Sequence, residues 1–334
     1  MSGYRIVCGD CREALRGMES ESAHCCVTSP PYWGLRDYGV AGQLGLERTP
    51  EEYVARMVEV FREVRRVLRN DGTLWLNLGD SYANDRKWGG KSGEKNRTSD
   101  LGGYPRHKMA TGLKGKDLVG VPWRVAFALQ ADGWYLRSDI IWSKPNPMPE
   151  SVTDRPTKAH EYLFLMAKSK DYYYDAAAIA EPAISGDPRK PYCPGPVDGR
   201  GDGHDRGGGK VRPSIARGGF AGKTEAMAEE GRNAFRSIQD WRNRRSVWTI
   251  ATETYPEAHF ATFPEALIEP CIKAGCPAGG LVLDPFVGSG TVLAVARRLG
   301  CDSAGIELNP MYVDLAHERM RQEVFDLTEA AAED

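Results

Sequence analysis

The chain has 334 residues, 41% hydrophobic and 27% charged, a balance that predicts a globular protein of one large or two modest domains. The net charge of −2 excludes a uniformly basic nucleic-acid protein but allows local basic patches. The start has no signal-peptide core and no apolar run approaches the roughly 18 residues of a membrane helix. We therefore expect a cytoplasmic protein with no membrane partner.

The eight cysteines are scattered, which is typical of reduced thiols in a cytosol-like compartment. Cys8 and Cys11 form one C-x-x-C, and Cys271 and Cys276 form another close pair. Neither pair has the second pair of cysteines or histidines that a tetrahedral site needs, so we predict no metal.

Up to residue 83 the chain alternates short apolar runs with amphipathic segments, which is typical of an α/β fold. The predicted elements are a strand at 4–10, a helix at 11–18, a strand with its exit at 24–32, a helix at 49–72 and a strand at 73–82. Thr49 can cap the longest helix, and Pro50 suits its first position. Its apolar stripe consists of Val54, Met57, Val58, Phe61, Val64 and Leu68.

Two irregular basic segments interrupt the alternation. Residues 84–116 carry nine Lys or Arg against three acids, and we predict a mobile basic loop. Residues 183–246 hold 12 of the 37 glycines and carry 13 Lys or Arg against eight acids. Either segment alone is typical of a solvated loop, but the two together favour a nucleic-acid face.

The α/β pattern returns outside these segments. The predicted elements are a helix from Pro122, a strand into 140–142, a strand pair at 161–169 and 171–175, a helix at 263–275, a strand at 280–286, a helix at 291–300, a strand at 301–308 and a helix at 310–322. The fold prediction is one α/β sheet flanked by helices, with an inserted irregular region.

The strand at 24–32 leaves the sheet through Ser29-Pro30-Pro31-Tyr32. Prolines fix φ and lack an N–H, so Pro30 and Pro31 make this exit stiff and extended. A stiff exit can hold a hydroxyl, two carbonyls and an aromatic face against a ligand.

Residues 281–300 predict a strand, a glycine turn and a helix. Gly288 and Gly290 permit close backbone approach, and Thr291 opens a helix whose N-terminal N–H groups favour negative ligand groups. The full G-x-G-x-x-G is absent and no Lys-Ser/Thr follows, which excludes a phosphate loop. Glu307 ends the next strand, where an acid can bind the two hydroxyls of a ribose.

These segments resemble the DNA methyltransferases that modify amino groups, the N4-cytosine and N6-adenine enzymes. The similar motifs are DPFVGSGT for S-adenosylmethionine, TSPPYW for catalysis, HFATFPEALIEPCI before the cofactor strand, and CGDCREAL and GIELNP in the cofactor pocket. The catalytic motif precedes the cofactor motif, an order that resembles the beta class. The resemblance covers residues 1–83, 117–175 and 247–320.

The resemblance implies a Rossmann-like S-adenosylmethionine-dependent methyltransferase sheet that acts on a base flipped out of double-stranded DNA. Residues 1–175 would be the catalytic part, 176–246 the target-recognition region, and 247–334 the cofactor-binding part of the same domain. Family members occur as monomers and dimers, so a homodimer is possible.

The resemblance also implies the cofactor contacts. Asp10 would approach the adenine amino group, and Glu307 would take the ribose. The residues expected around the cofactor are Asp10, Cys11, Thr262, Phe263, Pro264, Asp284, Pro285, Phe286, Gly288, Ser289, Gly290, Thr291, Glu307 and Asn309.

The implied catalytic residues are Ser29, Pro30, Pro31, Tyr32 and Asp80. An exocyclic amine is a poor nucleophile, because its lone pair is delocalised into the ring. Acceptors such as the Ser29 hydroxyl and the Pro30 carbonyl can favour its attack, while Tyr32 can stack on the flipped base. Asp80 has two readings of equal weight, a carboxylate near the base or a capping acid.

Serine in the first motif position favours cytosine N4 over adenine N6 in this family. Carbon-5 methylation is disfavoured, because it needs a thiolate at a strand exit and Cys271 lies in a predicted helix with core spacing. Trp33 and Trp142 have two readings, a contact to the base or a place in the core, and the core is favoured for aromatics beside strand ends. Enzymes of this kind serve restriction–modification or phage and host DNA modification. An alternative from another class is a non-catalytic nucleic-acid-binding protein.

Overall fold

The structure is a computed structural model that describes residues 3–35, 37–83, 111–182, 241–253 and 263–330, without the side chains of 241 and 323–330. Most of the predicted basic loop and of the second irregular segment lie outside these ranges, as does Thr262. Within the described ranges, no helix is both long and apolar enough to span a membrane.

Strands and helices alternate along most of the described chain. The strands are β1 (Tyr4–Cys8), β2 (Ala23–Thr28), β3 (Leu68–Leu78), β4 (Tyr135–Ser143), β5 (His160–Ala167), β6 (Glu181–Pro182), β7 (Trp241–Arg242), β8 (Val247–Thr249), β9 (Leu281–Asp284) and β10 (Asp302–Glu307). The helices are α1 (Cys11–Arg16), α2 (Pro50–Val67), α3 (Val121–Ala131), α4 (Glu265–Gly275), α5 (Thr291–Arg298) and α6 (Pro310–Ala330).

Eight strands form one sheet in the order β1-β10-β9-β2-β3-β5-β4-β8. Only β5 is antiparallel to its neighbours in this sheet. In the register at the centre, Cys26 pairs with both Leu74 and Leu283. The carboxyl ends of seven strands therefore meet at one edge, together with the amino end of β5. Open parallel sheets bind ligands at this edge.

Helices cover both faces of the sheet, which is why its central strands are nearly continuous apolar runs. On β3, Leu74 and Leu76 pack with α1, α2 and α3, whereas Trp75 packs on the opposite face with α4 and α5. This alternation follows from the two-residue period of a strand. The predicted α/β sheet flanked by helices is confirmed.

Helix α2 begins as predicted, with the Thr49 hydroxyl accepting a hydrogen bond from the Glu52 N–H at 3.2 Å. Its predicted end is wrong. The helix stops at Val67, and Leu68 turns to extended backbone (φ −66°, ψ 142°) to pair with Ala23 of β2. Strand pairing therefore overrides the helical spacing that placed Leu68 on the stripe.

Two other element predictions differ from the structure. Residues 171–175 form no strand, since the Tyr173 N–H donates to the Asp71 carbonyl in a loop and β5 pairs instead with β3 and β4. Strand β8 was not predicted, because three residues after a polar segment give too short a pattern to read.

Residues 180–244 form a separate compact unit, of which only the two ends are described. Within this unit β6 and β7 pair antiparallel, and the Arg242 guanidinium binds the Glu181 carboxylate at 2.8 Å. The target-recognition limits of 176–246 remain a prediction.

Candidate active site

A cleft of about 290 Å³ runs along the carboxyl edge of the large sheet. It brings together fifteen of the predicted site residues: Asp10, Cys11, Ser29, Pro30, Pro31, Tyr32, Phe263, Asp284, Pro285, Phe286, Gly288, Ser289, Thr291, Glu307 and Asn309. We call the part formed at the ends of β1, β9 and β10 the glycine-turn side. We call the part formed by Ser29, Tyr32, Asn77, Lys144 and Glu161 the tyrosine side.

The glycine turn and Glu307 are built as one unit. Gly288 and Gly290 have φ values of 53° and 84°, which L side chains rarely adopt. The Gly288 N–H donates to one carboxylate oxygen of Glu307 at 2.9 Å, and the Asn309 N–H donates to the other at 2.8 Å. Burial nevertheless raises the pKa of Glu307. The carboxylate is thus fixed at the end of β10 before any ligand binds.

Asp284 lies one strand away and is fully enclosed. The same carboxylate oxygen accepts from the Thr28 hydroxyl at 2.7 Å and from the Phe286 N–H at 3.0 Å. Burial raises the pKa of Asp284 to about 7, against the opposing effect of these hydrogen bonds. Asp284 therefore fixes the start of the turn through the N–H of Phe286.

Asp10 closes the glycine-turn side at the end of β1. Its carboxylate caps α1 through the Arg12 N–H at 2.8 Å and also binds the Arg12 guanidinium, with Nε at 2.9 Å. The hydrogen bond from Arg12 lowers the pKa of Asp10. Burial raises the pKa of the neighbouring Cys11 to about 12, so this thiol stays protonated and apolar.

On the tyrosine side, four polar side chains from three strand ends share hydrogen bonds. The Ser29 hydroxyl donates to Oδ1 of Asn77 at 3.2 Å, and the Tyr32 hydroxyl lies 2.8 Å from the same oxygen. The Tyr32 hydroxyl also lies 2.7 Å from the Glu161 carboxylate. The amide of Asn77 is oriented by its Nδ2, which donates to the Tyr162 carbonyl at 3.1 Å. Burial, and next the charge of Glu161, hold the pKa of Tyr32 well above its usual value.

The ring of Tyr32 packs directly against Gly79, a residue without a side chain. A Cβ atom on Gly79 would lie 2.4 Å from Cε2 of Tyr32 and 2.8 Å from Cδ2. The exit is fastened on its other side, where the Tyr53 hydroxyl donates to the Pro31 carbonyl at 3.0 Å. The two prolines and these two contacts together make the exit rigid.

Lys144 and Glu161 complete the tyrosine side as an ion pair across β4 and β5. Both side chains are largely buried, 17% and 16% exposed, and the Lys144 ammonium lies 4.1 Å from the ring centroid of Trp142. An ion pair desolvated to this degree holds its geometry more firmly than a surface pair.

Four predicted site residues do not line the cleft or are not described. Both carboxylate oxygens of Asp80 accept backbone N–H groups, from Ser81, Gly120 and Val121 at 2.9–3.1 Å, so Asp80 caps the start of α3. Pro264 and Gly290 are the residues that precede α4 and α5. Thr262 lies outside the described residues.

Two predictions about packing are confirmed. Cys271 is buried inside α4, and its thiol donates to the Leu267 carbonyl of the preceding turn. Trp33 is buried and donates to the Glu47 carbonyl, whereas Trp142 is buried but also lines the cleft. Across the described ranges, no group of three or more His, Cys, Asp or Glu side chains could hold a metal ion.

The sequence did not point to Asn77, Lys144 or Glu161. The signal available was polar placement: Asn77 is the one polar residue in the apolar run from Leu74 to Leu78, and Glu161 begins another such run. A further set of cleft residues lies in a segment without periodicity and was also missed: Leu35, Tyr38, Val40, Gly42, Gln43 and Leu44.

A model of the DNA methylase family matches residues 23–318 of this chain. The chain belongs to the DNA methylase family. Its members use S-adenosylmethionine, as the motif resemblance implied. The methylase is 47% identical over 317 residues to the type II methyltransferase M.SmaI of Serratia marcescens, covering 95% of this chain and 90% of that relative. It is 43% identical to M.Cfr9I of Citrobacter freundii, with 99% and 92% covered.

Two solved structures share the fold of the methylase. The PvuII DNA methyltransferase (cytosine-N4-specific) has a TM-score of 0.60 at 18% identity, over 96% of this chain and 86% of that chain. TTHA0409 of Thermus thermophilus, a putative DNA modification methylase in complex with S-adenosyl-L-methionine, has a TM-score of 0.56 at 24% identity, over 96% and 94%. The Rossmann-like methyltransferase fold is thereby confirmed.

Proposed function

We propose that this methylase transfers the methyl group of S-adenosylmethionine to the N4 amino group of a cytosine flipped out of duplex DNA. One observation carries the proposal: the Ser29 hydroxyl and the Glu307 carboxylate line the same cleft. An acceptor suited to an amine and a pocket suited to a nucleoside thus share one cavity, which methyl transfer between the two requires.

The glycine-turn side fits the cofactor by the chemistry of its groups. Two carboxylates, of Asp10 and Glu307, stand at the ends of β1 and β10, where they can bind an adenine amino group and the ribose hydroxyls. Apolar side chains of Phe286, Ile306 and Leu308 line the space between and suit a planar base. When bound, S-adenosylmethionine supplies an electrophilic methyl group on a sulfonium.

The tyrosine side activates the amine. Acceptors aimed at its two hydrogens favour a tetrahedral nitrogen and offset the positive charge that develops during attack. The Ser29 hydroxyl and the Pro30 carbonyl are these acceptors, and Asn77 holds the serine through its 3.2 Å hydrogen bond. Tyr32 supports the flipped base, which offsets part of the cost of unstacking. No covalent intermediate with the protein is needed.

The choice of cytosine rests on the neutral character of the acceptors. Ser29 stands first in the motif, and the Asp80 carboxylate is engaged by backbone N–H groups at the start of α3. The PvuII enzyme, which has this fold, is named cytosine-N4-specific. Adenine N6 is the alternative, because the family includes both kinds of enzyme and Glu161 brings a carboxylate into the cleft.

Duplex DNA is the proposed partner, and the basic segments at 84–116 and 183–246 are its proposed contacts. Neutralising phosphates releases counterions, so affinity for DNA should fall steeply as salt increases. The relatives are type II methyltransferases, which supports a role in restriction–modification. A homodimer and a cytoplasmic location remain predictions.

The test is nucleoside mass spectrometry of DNA from cells that express the wild-type chain, Ser29→Ala or Ser22→Ala. We expect N4-methylcytosine with the wild type, and a transfer rate lower by about a hundredfold in Ser29→Ala at unchanged affinity for S-adenosylmethionine, because one acceptor of the developing charge is gone. Ser22→Ala is the matched control, since the Ser22 hydroxyl donates to the Glu19 carbonyl, beyond the opposite end of β2.

The alternatives give different products. N6-methyladenine would retain the fold, the cofactor and the chemistry but refute the choice of cytosine. No methylated base, with no methyl transfer from radiolabelled cofactor to any duplex, would favour a non-catalytic nucleic-acid-binding protein.

A further inference from the structure

The loop at 144–159 joins β4 to β5 at the carboxyl edge of the sheet, and both of its ends lead into the cleft. Lys144 begins the loop and Glu161 follows its last residue by two. Met148 lies in the first half of this loop. Its side chain is 85% exposed, more than any other large hydrophobic side chain in the described ranges. Met148 is the fourth residue after Lys144, so their Cα atoms lie at most about 14 Å apart.

The backbone around Met148 is stiff. Pro147 and Pro149 flank it and fix φ on both sides. Asn146 is anchored to Thr252, a residue of the cleft wall, through the Thr252 N–H at 3.0 Å and the Thr252 carbonyl at 3.4 Å. The two prolines and the contacts of Asn146 therefore hold the exposed Met148 in a restricted position.

The far side of the tip is fastened as well. The Glu150 carboxylate accepts from the Arg155 guanidinium at 2.7 Å and from the Lys158 N–H at 3.3 Å. Lys158 in turn donates from its ammonium to the Asp80 carbonyl at 2.8 Å, and Arg155 lies 3.9 Å from the ring centroid of Tyr82. The loop is thereby braced against the exit of β3.

We propose that Met148 is the wedge that enters the DNA stack when the target base leaves it. The inference rests on the proposed function, since only an enzyme that flips its base needs such a wedge. Proteins that unstack DNA insert apolar side chains, methionine among them, between base steps. A rigid tip beside the cleft can do so with little loss of conformational entropy.

The test compares Met148→Ala with Met148→Leu and with Met311→Ala. Met311 is a matched control, since its side chain is 77% exposed at the second position of α6 and does not line the cleft; its backbone N–H, which the substitution keeps, donates to Asn309. Each variant is assayed on two duplexes that carry the mapped methylation site, one fully paired and one with an abasic site opposite the target. The abasic partner removes the base pair that a wedge helps to break.

We expect Met148→Ala to methylate the paired duplex roughly tenfold to a hundredfold more slowly than the wild type, since unstacking costs a few kcal/mol per step. On the abasic duplex its rate should return to within about threefold of the wild type, because the barrier is already lowered. Met148→Leu should keep most of the rate on both, and Met311→Ala should match the wild type. The fluorescence of a 2-aminopurine placed at the target position should increase less on binding Met148→Ala than on binding the wild type.

Equal rates for Met148→Ala and the wild type on the paired duplex would overturn the wedge and leave the proposed function intact. A loss on the paired duplex that the abasic partner does not relieve would also overturn it, because the side chain would then serve another step. If the wild type methylates no duplex, the proposed function and the wedge both fail. The comparison of the paired and abasic duplexes decides the wedge for a target adenine as for a target cytosine, since flipping is needed in either case.

Discussion

The two sides of the cleft are built in different ways. On the glycine-turn side, backbone N–H groups of one segment, 284–309, make most of the contacts: Gly288 and Asn309 fix Glu307, and Phe286 fixes Asp284, which also accepts from the Thr28 hydroxyl. On the tyrosine side, side chains from four separate strand ends hold one another. The first kind of construction lies mostly within one continuous segment of the chain, and the second depends on the whole sheet.

This difference implies that the two sides can be damaged independently. A change on the glycine-turn side should affect affinity for the cofactor, and a change on the tyrosine side should affect the rate of transfer. If the two sides were one cooperative unit, each change would alter both quantities.

The largest effect is expected on the glycine-turn side. Glu307→Ala removes the acceptor of two backbone N–H groups and the proposed ribose ligand, so affinity for S-adenosylmethionine should fall roughly a thousandfold, at about 1.5–3 kcal/mol for each lost charged hydrogen bond. Equilibrium dialysis measures the affinity. Transfer at saturating cofactor should fall far less.

Glu265→Ala is the control for this change, because Glu265 binds Arg298 and Arg319 through another carboxylate on α4 that does not line the cleft. Its affinity for the cofactor should stay near that of the wild type. If Glu265→Ala weakened binding as much as Glu307→Ala, the loss would reflect general damage to the glycine-turn side.

The next effect is expected beneath Tyr32. Gly79→Ala places a methyl group where the Tyr32 ring lies, and a contact of 2.4 Å forces the ring to move. The rate of transfer should fall about a hundredfold, because displaced reacting groups lose that much. Cofactor affinity should not change. Single-turnover assays and dialysis separate the two quantities.

Gly17→Ala is the matched control for Gly79→Ala. A Cβ atom on Gly17 would lie 3.4 Å from the Ala14 carbonyl, an ordinary contact, and its backbone φ of −77° suits any residue. The proposal for Tyr32 would be contradicted by a Gly79→Ala enzyme that keeps its full rate, since the ring would then have no required place.

The same difference explains what the sequence revealed. The glycine turn, Glu307 and the Ser-Pro-Pro-Tyr exit each belong to a short motif that can be read from consecutive residues, so the sequence predicted them, and they line the cleft. Asn77 and Glu161 become part of the site only because β5 pairs with β3, which places both side chains beside Tyr32. Periodicity reads whether a strand exists but not which strand lies next to it.

Asp80 is a second case in which the sequence could not show which part of the chain lies next to a residue. Its place at a strand end allowed a role at the base or a role in capping, and nothing nearby in sequence decided between them. Its partners, Gly120 and Val121, lie 40 and 41 residues further along the chain. Only the packing of α3 against the exit of β3 reveals the cap.

The smallest effect is expected at the ion pair of the tyrosine side, and a double-mutant cycle measures it. Glu161→Gln and Lys144→Met should each lower the rate of transfer about tenfold, because each leaves a largely buried partner without its counter-charge. The double variant should be about as slow as either single variant, because the effects of two groups that act as a unit are not additive. Cofactor affinity should be unchanged throughout.

Arg56→Met with Glu59→Gln, an exposed pair on α2, is the matched cycle and should show little coupling. Additive losses at Lys144 and Glu161 would mean that each contacts the DNA separately, and the tyrosine side would then not be a single hydrogen-bonded unit.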